Sequence, residues 1–151
     1  MPEKIKVALV GLGNCFSGLI QGIEYYSKNP SQKVTGIIHE NLCDYTIHDI
    51  DFVAGFDVGA NKIGKPINEA IYELPNMVNW IEKNDMPKAN GTVHESPALD
   101  GVGIWVENKV KPIESEKSES ELREEIIKVL EETGVEVIVS YLPVGSEKAT
   151  Q

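Results

Sequence analysis

The sequence predicts an α/β protein on a doubly wound parallel sheet, and three observations carry that prediction. The run Ile5–Val10 is short, β-branched and nearly free of charge, as a strand buried on both faces must be. It runs into Gly11 and Gly13, and a stretch of helical period follows at once. Two further apolar runs, Asp51–Asp57 and Val135–Val139, are separated by enough chain to cross over a sheet.

The first strand leads into the most informative stretch, Gly11-Leu12-Gly13-Asn14-Cys15. Gly11 permits the tight turn out of the strand. Gly13 lacks a Cβ, so a diphosphate can approach the backbone. The following helix then aims its free N–H groups at that charge. A full G-x-G-x-x-G would place glycine at position 16, where this chain has Phe16. Gly18 and Gly22 lie four apart, share a helix face, and are expected to supply the close helix–strand approach instead. The helix is expected over 14–27, capped by Asn14, with Leu19, Ile20 and Ile23 facing the sheet.

Residues 31–50 show no clear period and read as an insertion, with a short β excursion. The second strand ends at Asp57. A carboxylate there accepts hydrogen bonds from an adenosine ribose, and it disfavours the extra phosphate of NADP. A turn or cap role is the alternative for Asp57. Its separation from the glycine loop exceeds the usual ~20 residues, and removing the insertion restores that spacing.

A short helix is expected after Lys65-Pro66, then a long connection rich in Asn, Pro and Gly. Forty structureless residues are unusual in a compact domain, so short elements are expected around 76–83 and 102–108. Residues 112–119 read as a charged linker. A helix over 120–133 follows, with Ser118 and Glu121 at capping-box spacing and Gly134 closing it. Leu122, Ile126, Val129 and Leu130 share its apolar face. After the last strand, Ser140 to Ser146 lies at the ligand-facing edge of the sheet. Ser146 then caps a helix start that ends at Gln151, which reads as the N-terminal part of something longer.

The chain has 151 residues, enough for one domain, here 1–151, with a real core. A net charge of −10 and the lack of a Lys/Arg cluster argue against nucleic acid. Cys15 and Cys43 form no metal or disulfide pattern and fit a reducing, cytoplasmic setting. No apolar run approaches membrane-spanning length. His39 and His48, with Asp44 and Asp49, match no standard metal spacing, so no metal is expected. No residue set suggests a nucleophilic triad.

Several segments together resemble the myo-inositol-1-phosphate synthases (inositol-3-phosphate synthases) of archaeal and bacterial type. They are Gly11-Leu12-Gly13-Asn14-Cys15 with Gln21 to Tyr26, Phe52 to Val58, Ser96 to Val102, and Val139 to Glu147. The resemblance implies a Rossmann-type sheet, incomplete at the C-terminus, and an NAD-dependent isomerase acting on glucose 6-phosphate. In that family the sugar is oxidised at C5, enolised, closed by an intramolecular aldol step and reduced again. By resemblance, Gly11, Gly13, Asn14 and Cys15 hold the NAD pyrophosphate and Asp57 the ribose. Ser140, Leu142 and Pro143 line the cleft, and Asp100 and Gly101 lie near the cofactor.

Family members are more than twice as long, so the resemblance leaves the catalytic and oligomerisation domain outside this chain and implies a homo-oligomer or a complementary C-terminal half as partner. No lysine present matches a catalytic motif, and the chain alone is expected to be inactive. Two other readings stay open: a non-catalytic truncated or split nucleotide-binding module, and another NAD-dependent dehydrogenase of homoserine-dehydrogenase-like type.

Overall fold

The computed structural model describes residues 3–28, 36–103 and 108–151. Four strands form one parallel sheet: β1 (Ile5–Val10), β2 (Ile50–Asp57), β3 (Thr92–Glu95) and β4 (Val137–Ser140). Their spatial order is β3-β2-β1-β4. The chain steps outward from β1 through β2 to β3 and then returns to the other side of β1. Between β1 and β4 the winding therefore reverses, and the crevice beyond the strand ends at that point is where such sheets bind ligands. The register brings those ends together: Val10 pairs with Phe56 and Ser140, and Asp57 with Glu95.

Side chains of β1 alternate between two cores, as strand geometry requires. Val7 and Leu9 join Leu12, Phe16, Ile20, Ile67 and Val93 under helix α1 (Asn14–Lys28). Ala8 faces the opposite way with Ala54 and Phe56, under Ile126, Val129 and Leu130 of helix α3 (Glu119–Thr133). α3 carries the expected capping box: Ser118 Oγ accepts from Glu121 N, and Glu121 Oε2 accepts from Ser118 N at 2.7 Å. Gly134 ends it in the left-handed conformation, φ +66. Helices α2 (Ile67–Ala70) and α4 (Glu147–Thr150) are single turns.

Several local expectations give way to longer-range contacts. Asn14 does not cap α1; its amide oxygen accepts from Met77 N at 2.8 Å, and the first helical bond runs from Ser17 N to Gly13 O. The buried face of α1 is Phe16, Ser17, Ile20 and Gln21, whereas Leu19 is exposed. Gly18 and Gly22 do not bring helix and strand together. A Cβ on Gly18 would touch only Trp80, and one on Gly22 would meet nothing within 4 Å.

The segment 76–82 holds no helix or strand, and a 3₁₀ turn follows at Lys83–Asp85. Gln21 holds the segment in place. Its Nε2 donates to Ser17 Oγ and Val78 O, while its Oε1 accepts from Trp80 N and Ile81 N. All four bonds are made by a fully buried side chain, so the amide is satisfied.

Of the region read as an insertion, residues 31–35 lie outside the described residues. Beyond them come a tight antiparallel bridge, Leu42 to Tyr45, and a 3₁₀ turn at Ile47–Asp49 capped by Thr46. Of the element expected over 102–108, residues 104–107 also lie outside the described residues. The linker before α3 pairs with the loop after β2, through Ala60 N to Lys111 O and Ile113 N to Val58 O.

Candidate functional site

A cleft opens at the C-terminal end of the sheet, where β1 and β4 diverge. Its floor is the turn after β1. Gly11 N donates to Phe56 O at 2.9 Å, and Gly13 N folds back to Gly11 O at 2.8 Å. Gly11 has φ +79, and a Cβ there would press on Leu142 at 3.2 Å, so only glycine fits without strain. A Cβ on Gly13 would meet no protein atom within 4 Å, and Gly13 faces the cleft. No acceptor among the described residues takes the amides of Asn14, Cys15 and Phe16 in the first turn of α1. That turn presents the N–H array that suits an anion.

Between the two glycines, Leu12 is held on both sides of its backbone. Its N–H donates to Asp57 Oδ2 at 2.8 Å. Its carbonyl accepts from Lys62 Nζ at 2.7 Å and Asn76 Nδ2 at 2.9 Å. Asp57 is 8% exposed and Lys62 4%. Asp57 Oδ1 accepts from Gly59 N at 2.8 Å, and Lys62 Nζ stands 3.4 Å from Oδ2. A carboxylate offers about four acceptor positions. Three are filled among the described residues, two on Oδ2 and one on Oδ1, and Asp57 is one of the residues that line the cleft. The carboxylate is oriented by two backbone amides, and one acceptor position on Oδ1 has no donor among the described residues.

The opposite wall comes from Tyr141, Leu142 and Pro143 after β4 and from Pro97, Ala98, Gly101 and Val102. Tyr141 N donates to Val10 O, and its ring lies 4.5 Å from that of Phe16. Pro143 and Gly103 approach so closely that a Cβ on Gly103 would sit 2.9 Å from Pro143 Cβ. Asp100 ties this wall together, because its carboxylate accepts from Lys148 N and Ala149 N at the start of α4. The Lys148 amide first, and the Ala149 amide with it, holds Asp100 below the usual carboxylate range.

Of the residues singled out from the sequence, Gly11, Gly13, Asn14, Asp57, Gly101, Leu142 and Pro143 line this one cleft. Cys15, Asp100 and Ser140 are not among its lining residues. Cys15 is exposed, Asp100 bonds to α4, and Ser140 is exposed at the end of β4. Sequence reasoning missed Lys62, Asn76 and Tyr141. A lysine five residues after the strand-end aspartate was the one local signal for Lys62.

No family model matches the chain. Individual proteins do. The chain is 40% identical over 147 residues to the inositol-3-phosphate synthase of Mycolicibacterium smegmatis, covering 97% of this chain and 38% of that protein. The inositol-3-phosphate synthases of Mycobacterium tuberculosis H37Rv and Corynebacterium glutamicum are 38% and 39% identical, over 97% and 96% of this chain and again 38% of their length. Among solved structures, Ari2 superposes with a TM-score of 0.75 at 27% identity, over 97% of this chain and 41% of that one. A myo-inositol-1-phosphate synthase-related protein from Thermotoga maritima shares the fold, with a TM-score of 0.67 at 23% identity over 93% of this chain and 35% of that one. The relatives of this chain are therefore the inositol-3-phosphate synthases, and what it shares with them is a Rossmann-like N-terminal part, about 38% of their length.

Proposed function

We propose that this chain is the NAD-binding part of an inositol-3-phosphate synthase, whose whole reaction converts glucose 6-phosphate to 1D-myo-inositol 3-phosphate. The observation that carries this reading is the pairing of an open Gly13 with a half-satisfied Asp57 Oδ1 at the sheet's switch point. The first-turn amides of α1, from Asn14 to Phe16, face the pyrophosphate, and Gly13 makes way for it. Asp57 Oδ1 accepts from a ribose hydroxyl. Gly101, Leu142 and Pro143 give the apolar wall. Bound NAD supplies a hydride acceptor for the sugar and later the hydride donor.

The cleft holds about 200 Å³, below the ~300 Å³ at which ligand pockets usually begin. It therefore suits one end of a dinucleotide, and the remainder of the cofactor is covered by a further part of the family fold. The exposed edge of β4 is where that part attaches, in the same polypeptide or in a complementary one. Glucose 6-phosphate turnover belongs to that assembly.

Residues 1–151 titrated with NAD and NADP should bind NAD the more tightly, because Asp57 accepts the ribose hydroxyls. Gly13→Val should abolish binding by filling the space left for the pyrophosphate. Unchanged NAD affinity in that variant would make the glycine loop purely structural. Glucose 6-phosphate turnover by this chain alone would place the catalytic groups within it.

A further inference from the structure

We propose that Lys62 is a specificity-determining residue of the cleft: it neutralises Asp57 and so limits how strongly the site rejects a 2′-phosphate. The proposal rests on the reading that a nicotinamide dinucleotide occupies the cleft.

Among the described residues lining the cleft, Asp57 and Lys62 are the charged ones. Both are buried, and Nζ lies 3.4 Å from Oδ2. Burying an ammonium is costly unless it is paired. Anchoring the glycine loop does not require that charge. Asn76 Nδ2, a neutral donor, already reaches the same Leu12 carbonyl at 2.9 Å. What Lys62 adds beyond Asn76 is a positive charge beside the carboxylate that would meet the ribose. An isolated aspartate at this place repels a 2′-phosphate. A paired carboxylate repels it less, because the ammonium beside it offsets part of its charge.

The wild-type chain should therefore prefer NAD over NADP only modestly. The test is the ratio of the two dissociation constants at pH 8, measured on residues 1–151. Lys62→Met should raise the NADP-to-NAD ratio about tenfold, the scale of one unit charge a few ångströms away in a water-like dielectric. Lys62→Arg should leave the ratio near the wild-type value. Asp57→Asn should move it the other way, toward NADP, because the ammonium is then uncompensated.

A merely structural Lys62 would weaken both nucleotides alike in Lys62→Met, and an unchanged ratio would overturn the proposal. If Lys62→Met does not fold, Asp57→Asn carries the decision: no shift toward NADP would overturn the proposal equally. Absence of binding of either nucleotide to the wild-type chain would instead remove the dinucleotide reading, and the Lys62 proposal with it.

Discussion

The two edges of the sheet are built differently. At the β3 edge the chain finishes its own surface. Val93 is bonded on its outer side, with its N–H to Lys65 O and its carbonyl accepting from Gly64 N. Gly91 lets this corner close. At the β4 edge no strand among the described residues pairs beyond Val137–Ser140, and Val137 and Ile138 are 43% and 55% exposed. Parallel sheets are normally covered on both faces, and an apolar edge strand invites pairing. One edge is thus complete in itself. The other has the character of an interface.

The closed β3 corner is most vulnerable at Gly91. A Cβ there would lie 2.6 Å from Phe52 O and 2.7 Å from Val53 C, and backbone cannot yield as a side chain can. Gly91→Ala should cost about 3 kcal/mol, the upper range for overpacking. Urea denaturation reads this directly, and a loss below about 1 kcal/mol would show that the β3 corner is not tightly closed.

A smaller effect tests the same edge by pH. Burial lowers the pKa of His94 from the ordinary 6.5, although Glu125 opposes the shift. The unfolded chain then binds the proton more readily. The stability contributed by neutral His94 is complete above about pH 6.5 and is lost as pH falls through the lowered folded value. Melting temperature should decline between pH 7 and 5, and His94→Gln should flatten that decline. An identical slope in the variant would assign it to other groups.

The smallest effect on stability is expected at the open edge. Ile138→Lys should change unfolding free energy by no more than about 0.5 kcal/mol, as at other surface positions. It should reduce self-association in sedimentation, because a charge on an edge strand opposes pairing. A large loss of stability would mean that Ile138 already packs within the monomer.

What could be read from the sequence follows the same division between local and distant causes. β1, β2 and α3 announced themselves by apolar run, helical period and caps, all signals carried by neighbouring residues. Asp57 was legible because its place follows from where its strand ends. β3 was not, since Thr92–Glu95 is four residues long and contains a histidine and a glutamate; pairing with β2 makes it a strand. The α1 face was misjudged at Leu19 because the buried polar pair Ser17 and Gln21 occupies the place an apolar period would fill. Lys62 escaped notice because its partners at Leu12 lie fifty residues away.

Gln21 carries one more consequence. Every partner it takes between Val78 and Ile81 is a main-chain atom. The grip therefore measures the length and path of that segment and is blind to the identity of its side chains. Substitutions at residues 78 and 79 should therefore leave the grip intact. A one-residue insertion or deletion between them would leave the glutamine holding the wrong rungs. The glutamine acts as a ruler laid against the chain, and what it conserves is spacing.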